Sequence, residues 1–331
     1  METTHLTFSL IIFTALLTFS SLLNPTLASK CNKDDKKALL SIQSHLGFSG
    51  WQSSIACCDW SGVNCDADGR VIGLGILNFL SAGGTIPPAI GDLPFLQELF
   101  LHKLSDLVGE IPRSLTRLQN LTTLGISWTN VSGPVPAFLS EMKSLNYLDL
   151  SFNNLTGPIP ASLGTLPSLN FIHLDRNRLT GPIPATLGNL PPPLSLYLSH
   201  NMLSGPVPRS LGEVVHINTL DISKNQLVGD PSFLFGASKP TDTIIISRNL
   251  FEFDLTGVEF PVNLTTLDMS HNMIYGEMPK QMTELNMLQN FNGSYNRLCG
   301  EIPQGGRVQD FDQFSFFHNR CLCGSPLMAC K

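Results

Sequence analysis

From Leu148 the chain reads LDLSFNNLTGPIP, from Phe171 FIHLDRNRLTGPIP, and from Leu196 LYLSHNMLSGPVP. Each phrase sets two apolar residues one position apart, then an Asn, a Leu, a Gly and an Ile-Pro or Val-Pro pair. Aligning the second apolar residue of each copy gives Ile76, Leu101, Ile126, Leu150, Leu174, Leu198, Ile222, Ile246, Met269 and Gly293. The steps are 23 to 25 residues, so about ten units share one period. A fixed period of this length predicts stacked units, each burying its apolar face only against its neighbours.

The apolar alternation predicts one short strand per unit, with parallel strands about 4.8 Å apart. Asn153, Asn177, Asn201, Asn225, Asn249, Asn272 and Asn296 stand where the chain turns away from the strand. There an amide can satisfy backbone groups that no strand partner reaches. The following Gly permits a tight bend, and Ile-Pro fills the core while fixing φ. These positions are the scaffold.

The residues between them form columns on the concave sheet face. The first column holds Gly125, Asp149, His173, Tyr197, Asp221, Ile245, Asp268 and Asn292. The next holds Ser127, Ser151, Asp175, Ser199, Ser223, Ser247, Ser270 and Ser294, and the margin holds Trp128, Phe152, Arg176, His200, Lys224, Arg248, His271 and Tyr295. All are expected to face outward, giving a carboxylate strip of Asp149, Asp175, Asp221 and Asp268 beside an aromatic and basic margin.

Outside the repeats, residues 6–23 are apolar and lack Lys and Arg, and small residues follow that allow cleavage after Ala28 or Ser29. This pattern predicts a secretory signal over residues 1–28. No later segment is apolar enough to span a bilayer, so no transmembrane anchor is expected. A net charge of −6 with only 14% charged residues disfavours nucleic-acid binding.

The eight cysteines lie at the two ends, Cys31, Cys57, Cys58 and Cys65 before the repeats and Cys299, Cys321, Cys323 and Cys330 after them. Only CC and CLC spacings occur, which does not suit structural zinc, so no metal site is expected. Near-adjacent cysteines rarely pair with each other. This favours Cys31 with Cys57, Cys58 with Cys65, Cys299 with Cys321 and Cys323 with Cys330, although three pairings remain open at each end. The expected division is signal 1–28, N-terminal cap 29–70, ten repeats 71–303 and C-terminal cap 304–331.

The N-x-L-x-G-x-I-P phrase resembles the plant-type leucine-rich repeat, and CCDWSGVNC is similar to its N-terminal cap. GDPSFLFG and LCGEIPQGGRVQDFDQFSFFHNRCLCGSPLMAC resemble the plant polygalacturonase-inhibiting proteins. WSGV departs toward the ectodomains of repeat receptor kinases, and the eighth repeat has Phe251 and Phe253 in place of Leu and Gly. The resemblance implies an α/β solenoid, a right-handed superhelix with a parallel concave sheet and disulfide-stapled caps. It also implies a non-enzymatic, extracellular cell-wall protein of plant defence that blocks fungal or insect polygalacturonases. A monomer without cofactors is expected, with pectin left open as a further contact.

A polygalacturonase binds a polyanion, so its cleft should present bases, and the Asp strip could occupy that cleft and steer encounter. Tyr147, Phe171 and Tyr197 are candidate anchors. Together with His173, Ser223 and Lys224 they complete the expected partner-binding set. Asp149, His173 and Ser151 superficially suggest a hydrolase, but residues facing solvent from successive rungs offer no shielded site. His200 and His271 are three rungs apart, too far to share a metal. Two rival readings stay open: an ice-structuring protein using the Ser column, and a soluble partner in peptide or receptor signalling. Glycosylation sequons occur at Asn120, Asn130, Asn154, Asn263 and Asn292, of which Asn292 falls on the concave face.

Overall fold

The computed structural model describes residues 31–78 and 83–331; the signal expected over residues 1–28 lies outside them. Ten parallel strands, from Val71–Leu77 through Tyr147–Asp149 and Phe171–His173 to Asn290–Asn292, stack in chain order. Leu124, Leu148, Ile172, Leu196, Leu220, Ile244, Leu267 and Phe291 are partners in one continuous row. The second apolar row, Ile126 to Met269, is fully buried. Each such side chain contributes about 1.5–3 kcal/mol. Gly293 ends that row because a Cβ there would stand 2.8 Å from the Phe291 ring, which already fills the space.

The Asn ladder has the expected role. Asn177 Nδ2 donates to the carbonyls of Leu150 and Leu174 at 2.9 and 3.1 Å, and its Oδ1 accepts from Leu155 N at 3.0 Å. The same three-way bridge recurs at Asn201, Asn225 and Asn249. The ladder runs on into the C-terminal cap, where Asn319 accepts from Leu298 N and donates to the carbonyls of Gly293 and Phe316. An eleventh, partial rung therefore closes the core, signalled only by HN at His318 and Asn319.

A second set of parallel strands follows the Asn, including Asn154–Gly157, Arg178–Gly181, Met202–Pro206 and Gln226–Gly229. One strand per repeat is therefore an undercount, because the L-x-G stretch also pairs from rung to rung. It ends at glycines in the left-handed region, such as Gly157 (φ 75°) and Gly181 (φ 77°), where a side chain would strain the bend. Pro160 and Pro184 then lead into 3-10 turns, Ala161–Thr165 and Ala185–Asn189, on the convex side. Where the eighth repeat lacks Ile-Pro, Phe251 and Phe253 are buried, and Phe235 packs edge-on to Phe260 at 5.0 Å.

Both ends are sealed. The helix Lys33–Leu46 is capped by Asn32, whose Oδ1 accepts from Asp34 N and Asp35 N, and ends at Gly47 with φ 71°. The antiparallel strand Val63–Cys65 pairs with Val71–Leu74 and covers the first edge. The four disulfides join the pairs expected from spacing, with Cα–Cα distances of 5.4, 5.6, 4.4 and 5.0 Å.

Candidate functional site

The concave columns do not all face outward. Ser127, Ser151, Ser199, Ser223, Ser247, Ser270 and Ser294 are buried, as are Asp175 and Asp221. On four of these rungs the Ser position is tied down by a repeated side-chain turn. Asp149 Oδ1 accepts from Ser151 N and Oγ at 2.9 and 2.6 Å. Asp221 accepts likewise from Ser223 at 3.0 and 2.7 Å, and Asn292 from Ser294 at 3.1 and 2.7 Å. Asp268 accepts from Ser270 N at 3.0 Å. The sequence signal was the recurrent D-x-S, in which an Asp side chain bonds the backbone two residues on. The continuous outward carboxylate strip is therefore absent. Asp149 and Asp268 remain half-buried, while Asp221 is spent in its turn.

Asp175 breaks this rule, because it stands at the Ser position of its rung with His173 at the Asp position. It is 5% exposed, and its Oδ1 has no hydrogen-bond donor. Burial first, then the carboxylates of Asp149 and Asp221, push its carboxyl group up to about 8. The dismissed Asp149, His173 and Ser151 grouping changes in detail too: Ser151 faces inward rather than toward solvent, and its hydroxyl is given to Asp149.

The aromatic residues expected as candidate anchors lie together on neighbouring rungs. Tyr147 stacks on Phe171 at 4.4 Å, Phe171 lies 5.7 Å from Tyr197, and Tyr197 meets His173 edge-on at 3.9 Å. All four are half-buried on adjacent rungs. Burial raises the Tyr147 and Tyr197 hydroxyls above their ordinary value, with Asp149 adding to the first. Both phenols therefore stay neutral donors.

The margin column carries the charge that solvent meets. Trp128, Phe152, Arg176, His200, Lys224, Arg248, His271 and Tyr295 all have φ between 52° and 56°. That left-handed conformation costs a side-chain-bearing residue about 1 kcal/mol or more. It is held because both neighbouring peptide units bond to the next rung, as in Phe152 N to Asp175 O and Asn153 N to Arg176 O. Arg176, Lys224 and Arg248 are exposed. Burial first, and then Arg248 and Arg176, lower the Lys224 ammonium from its ordinary value.

Among the described residues, the trio of metal-ligand types gathered together is Cys31, Cys57 and Cys58, and all three sulfurs are bound in disulfides. The sequon residues Asn120, Asn130 and Asn263 are exposed, while Asn154 and Asn292 are half-buried. Asn154 Nδ2 donates to Asn130 Oδ1 on the preceding rung at 2.9 Å, away from the concave face. No helix among the described residues is long and apolar enough to cross a membrane.

Family models described as leucine rich repeat match residues 119–179, 194–214 and 263–285, and a leucine rich repeat N-terminal domain matches residues 32–66. A polygalacturonase inhibitor of Pyrus communis is 50% identical over 95% of this chain and 96% of its own. Polygalacturonase inhibitor 1 of Arabidopsis thaliana is 52% identical over 91% and 93%. The crystal structure of a plant ice-binding protein superposes with a TM-score of 0.89 at 45% identity, covering 91% of this chain and 99% of that one. With the repeat period, the bridged caps and this near full-length identity all in agreement, the chain belongs to the polygalacturonase inhibitor family of leucine-rich-repeat proteins.

Proposed function

We propose that the protein is a secreted inhibitor of fungal or insect polygalacturonases, acting as a monomer in the plant cell wall and catalysing no reaction itself. The observation that carries this reading is the 50% identity to a polygalacturonase inhibitor across almost the whole of both chains. The concave face supplies the means. Tyr147, Phe171, His173 and Tyr197 form a half-buried aromatic ladder with neutral phenols; Asp149 lies on the strand of Tyr147, and Asp268 stands three rungs beyond Tyr197. Aromatic anchors fixed on a rigid sheet bind at low entropic cost. Asp175, Asp221 and Ser223 shape this face from beneath, and Lys224 borders it.

The test is reducing-end release by a panel of fungal and insect polygalacturonases with and without the secreted protein. Inhibition of at least one enzyme is expected. Ice structuring is the second reading, favoured by the 45% identity to a plant ice-binding protein. The Ser column offered for it is buried, however, and gives no outward hydroxyl array. Ice recrystallisation activity without inhibition of any enzyme would reverse the order.

A further inference from the structure

Outside the ladder just described, an exposed Trp128 and a half-buried Phe152 form a second aromatic surface. Trp128 and Phe152 lie face to face, ring centroids 3.7 Å apart and planes within 14°. The pair is capped at both ends by cations: Lys103 Nζ stands 5.9 Å from the Trp128 ring, and Arg176 Cζ 4.8 Å from the Phe152 ring. Trp128 is 47% exposed, whereas Trp51 and Trp60 are buried at 6% and 4% in the cap. A large, rigid aromatic surface left open to water is costly unless a partner covers it.

The backbone keeps this stack in place. Trp128 and Phe152 have φ of 56° and 53°, and their amides donate to Ser151 O and Asp175 O on the next rungs. The conformational cost is thus met on folding rather than on binding. Charge indicates the partner's chemistry. Lys103 and Arg176 bracket the rings, Lys224 and Arg248 continue the same column as exposed bases, and the neighbouring Asp149 and Asp221 are engaged by serines.

We infer that the Lys103–Trp128–Phe152–Arg176 stack is the dominant anchor for the inhibited enzyme, seating an apolar side chain of a polygalacturonase rimmed by its acidic residues. This rests on the inhibitor reading and specifies which part of the face carries it. The cations guide the acidic rim into register, and the rings supply most of the affinity, as centrally buried aromatic residues do at protein interfaces.

Hydroxyl-radical footprinting read by mass spectrometry tests the parent protein directly, using a fungal polygalacturonase that the parent inhibits. Trp128 should oxidise readily in the free protein and be protected in the complex. Trp128→Ala and Phe152→Ala should each weaken binding about tenfold or more in surface plasmon resonance. Their melting temperatures should stay near the parent's, and Trp128→Phe should restore most of the affinity. Lys103→Glu with Arg176→Glu should slow association most at low salt. If the enzyme leaves Trp128 as reactive as before while the parent still inhibits, the anchor assignment fails and the inhibitor reading stands. Protection by an oligogalacturonide but not by the enzyme would make the stack a carbohydrate platform and overturn the assignment. If the parent inhibits no enzyme in the panel, the inhibitor reading fails and the anchor assignment falls with it.

Discussion

His173 Nδ1 stands 3.9 Å from Asp175 Oδ1, beyond hydrogen-bonding distance, at the centre of the concave sheet. The buried carboxyl oxygen therefore has no donor and sits between the rungs of Asp149 and Asp221. Every neighbouring rung with an Asp places it two residues earlier, where Ser backbone and hydroxyl groups satisfy it.

Stability should depend on pH through this group. The folded chain holds the Asp175 proton up to about pH 8, while the unfolded chain releases it near pH ~4. The folded state thus binds more protons across that interval, and stability falls as pH rises from about 4 to about 8. Below that window the full stability is present, and above it the cost is constant. Asp175→Asn should flatten this decline and raise the melting temperature at pH 8 relative to the parent. Identical pH profiles of melting temperature for parent and variant would refute the assignment.

Asp221 should matter to the fold more than an outward-facing residue would. Asp221→Ala removes the acceptor for Ser223 N and Oγ in a buried turn. It should cost about 1–3 kcal/mol in urea denaturation. Asp221→Asn keeps the acceptor oxygen and should cost clearly less. Equal losses for both variants would mean that the turn does not depend on this bond.

Both the Asn ladder and the leucine row should be sensitive to truncation, the leucine row more so. Leu150→Ala empties a wholly buried position and should destabilise by about 2–5 kcal/mol. Asn177→Ala strands the Leu155 amide, at about 1–3 kcal/mol, while the carbonyls of Leu150 and Leu174 keep Asn153 and Asn201 as donors. Chemical denaturation of the two variants measures both. A variant Asn177→Ala as stable as the parent would contradict the bridging role.

Non-reducing peptide mapping should recover Cys31–Cys57, Cys58–Cys65, Cys299–Cys321 and Cys323–Cys330. Replacing either cysteine of Cys31–Cys57 should lower stability by about 2–4 kcal/mol. Any bridge between the two caps is excluded by the ten rungs at about 4.8 Å that separate them.

The amino-acid sequence determined the parts of this protein that repeat. The period, the buried leucine rows and the ladder of Asn177 and its equivalents follow from local pattern, because each rung meets an identical neighbour and one phrase fixes every contact. The cysteine pairing at the caps was legible for a similar reason: spacing along the chain limits which sulfurs can meet. Tertiary structure decided what faces solvent. Asp175, Asp221 and the serines alternate with the leucines as outward residues should, yet the bend after each strand turns the Ser position inward, so a polar letter there marks a buried hydrogen bond. Trp128 and Phe152 read as two ordinary margin residues 24 positions apart; only the left-handed bends and the rung spacing bring their rings to 3.7 Å between Lys103 and Arg176. Which charges the concave face shows to solvent was decided there as well, since Asp175 and Asp221 are buried while Arg176, Lys224 and Arg248 stay exposed.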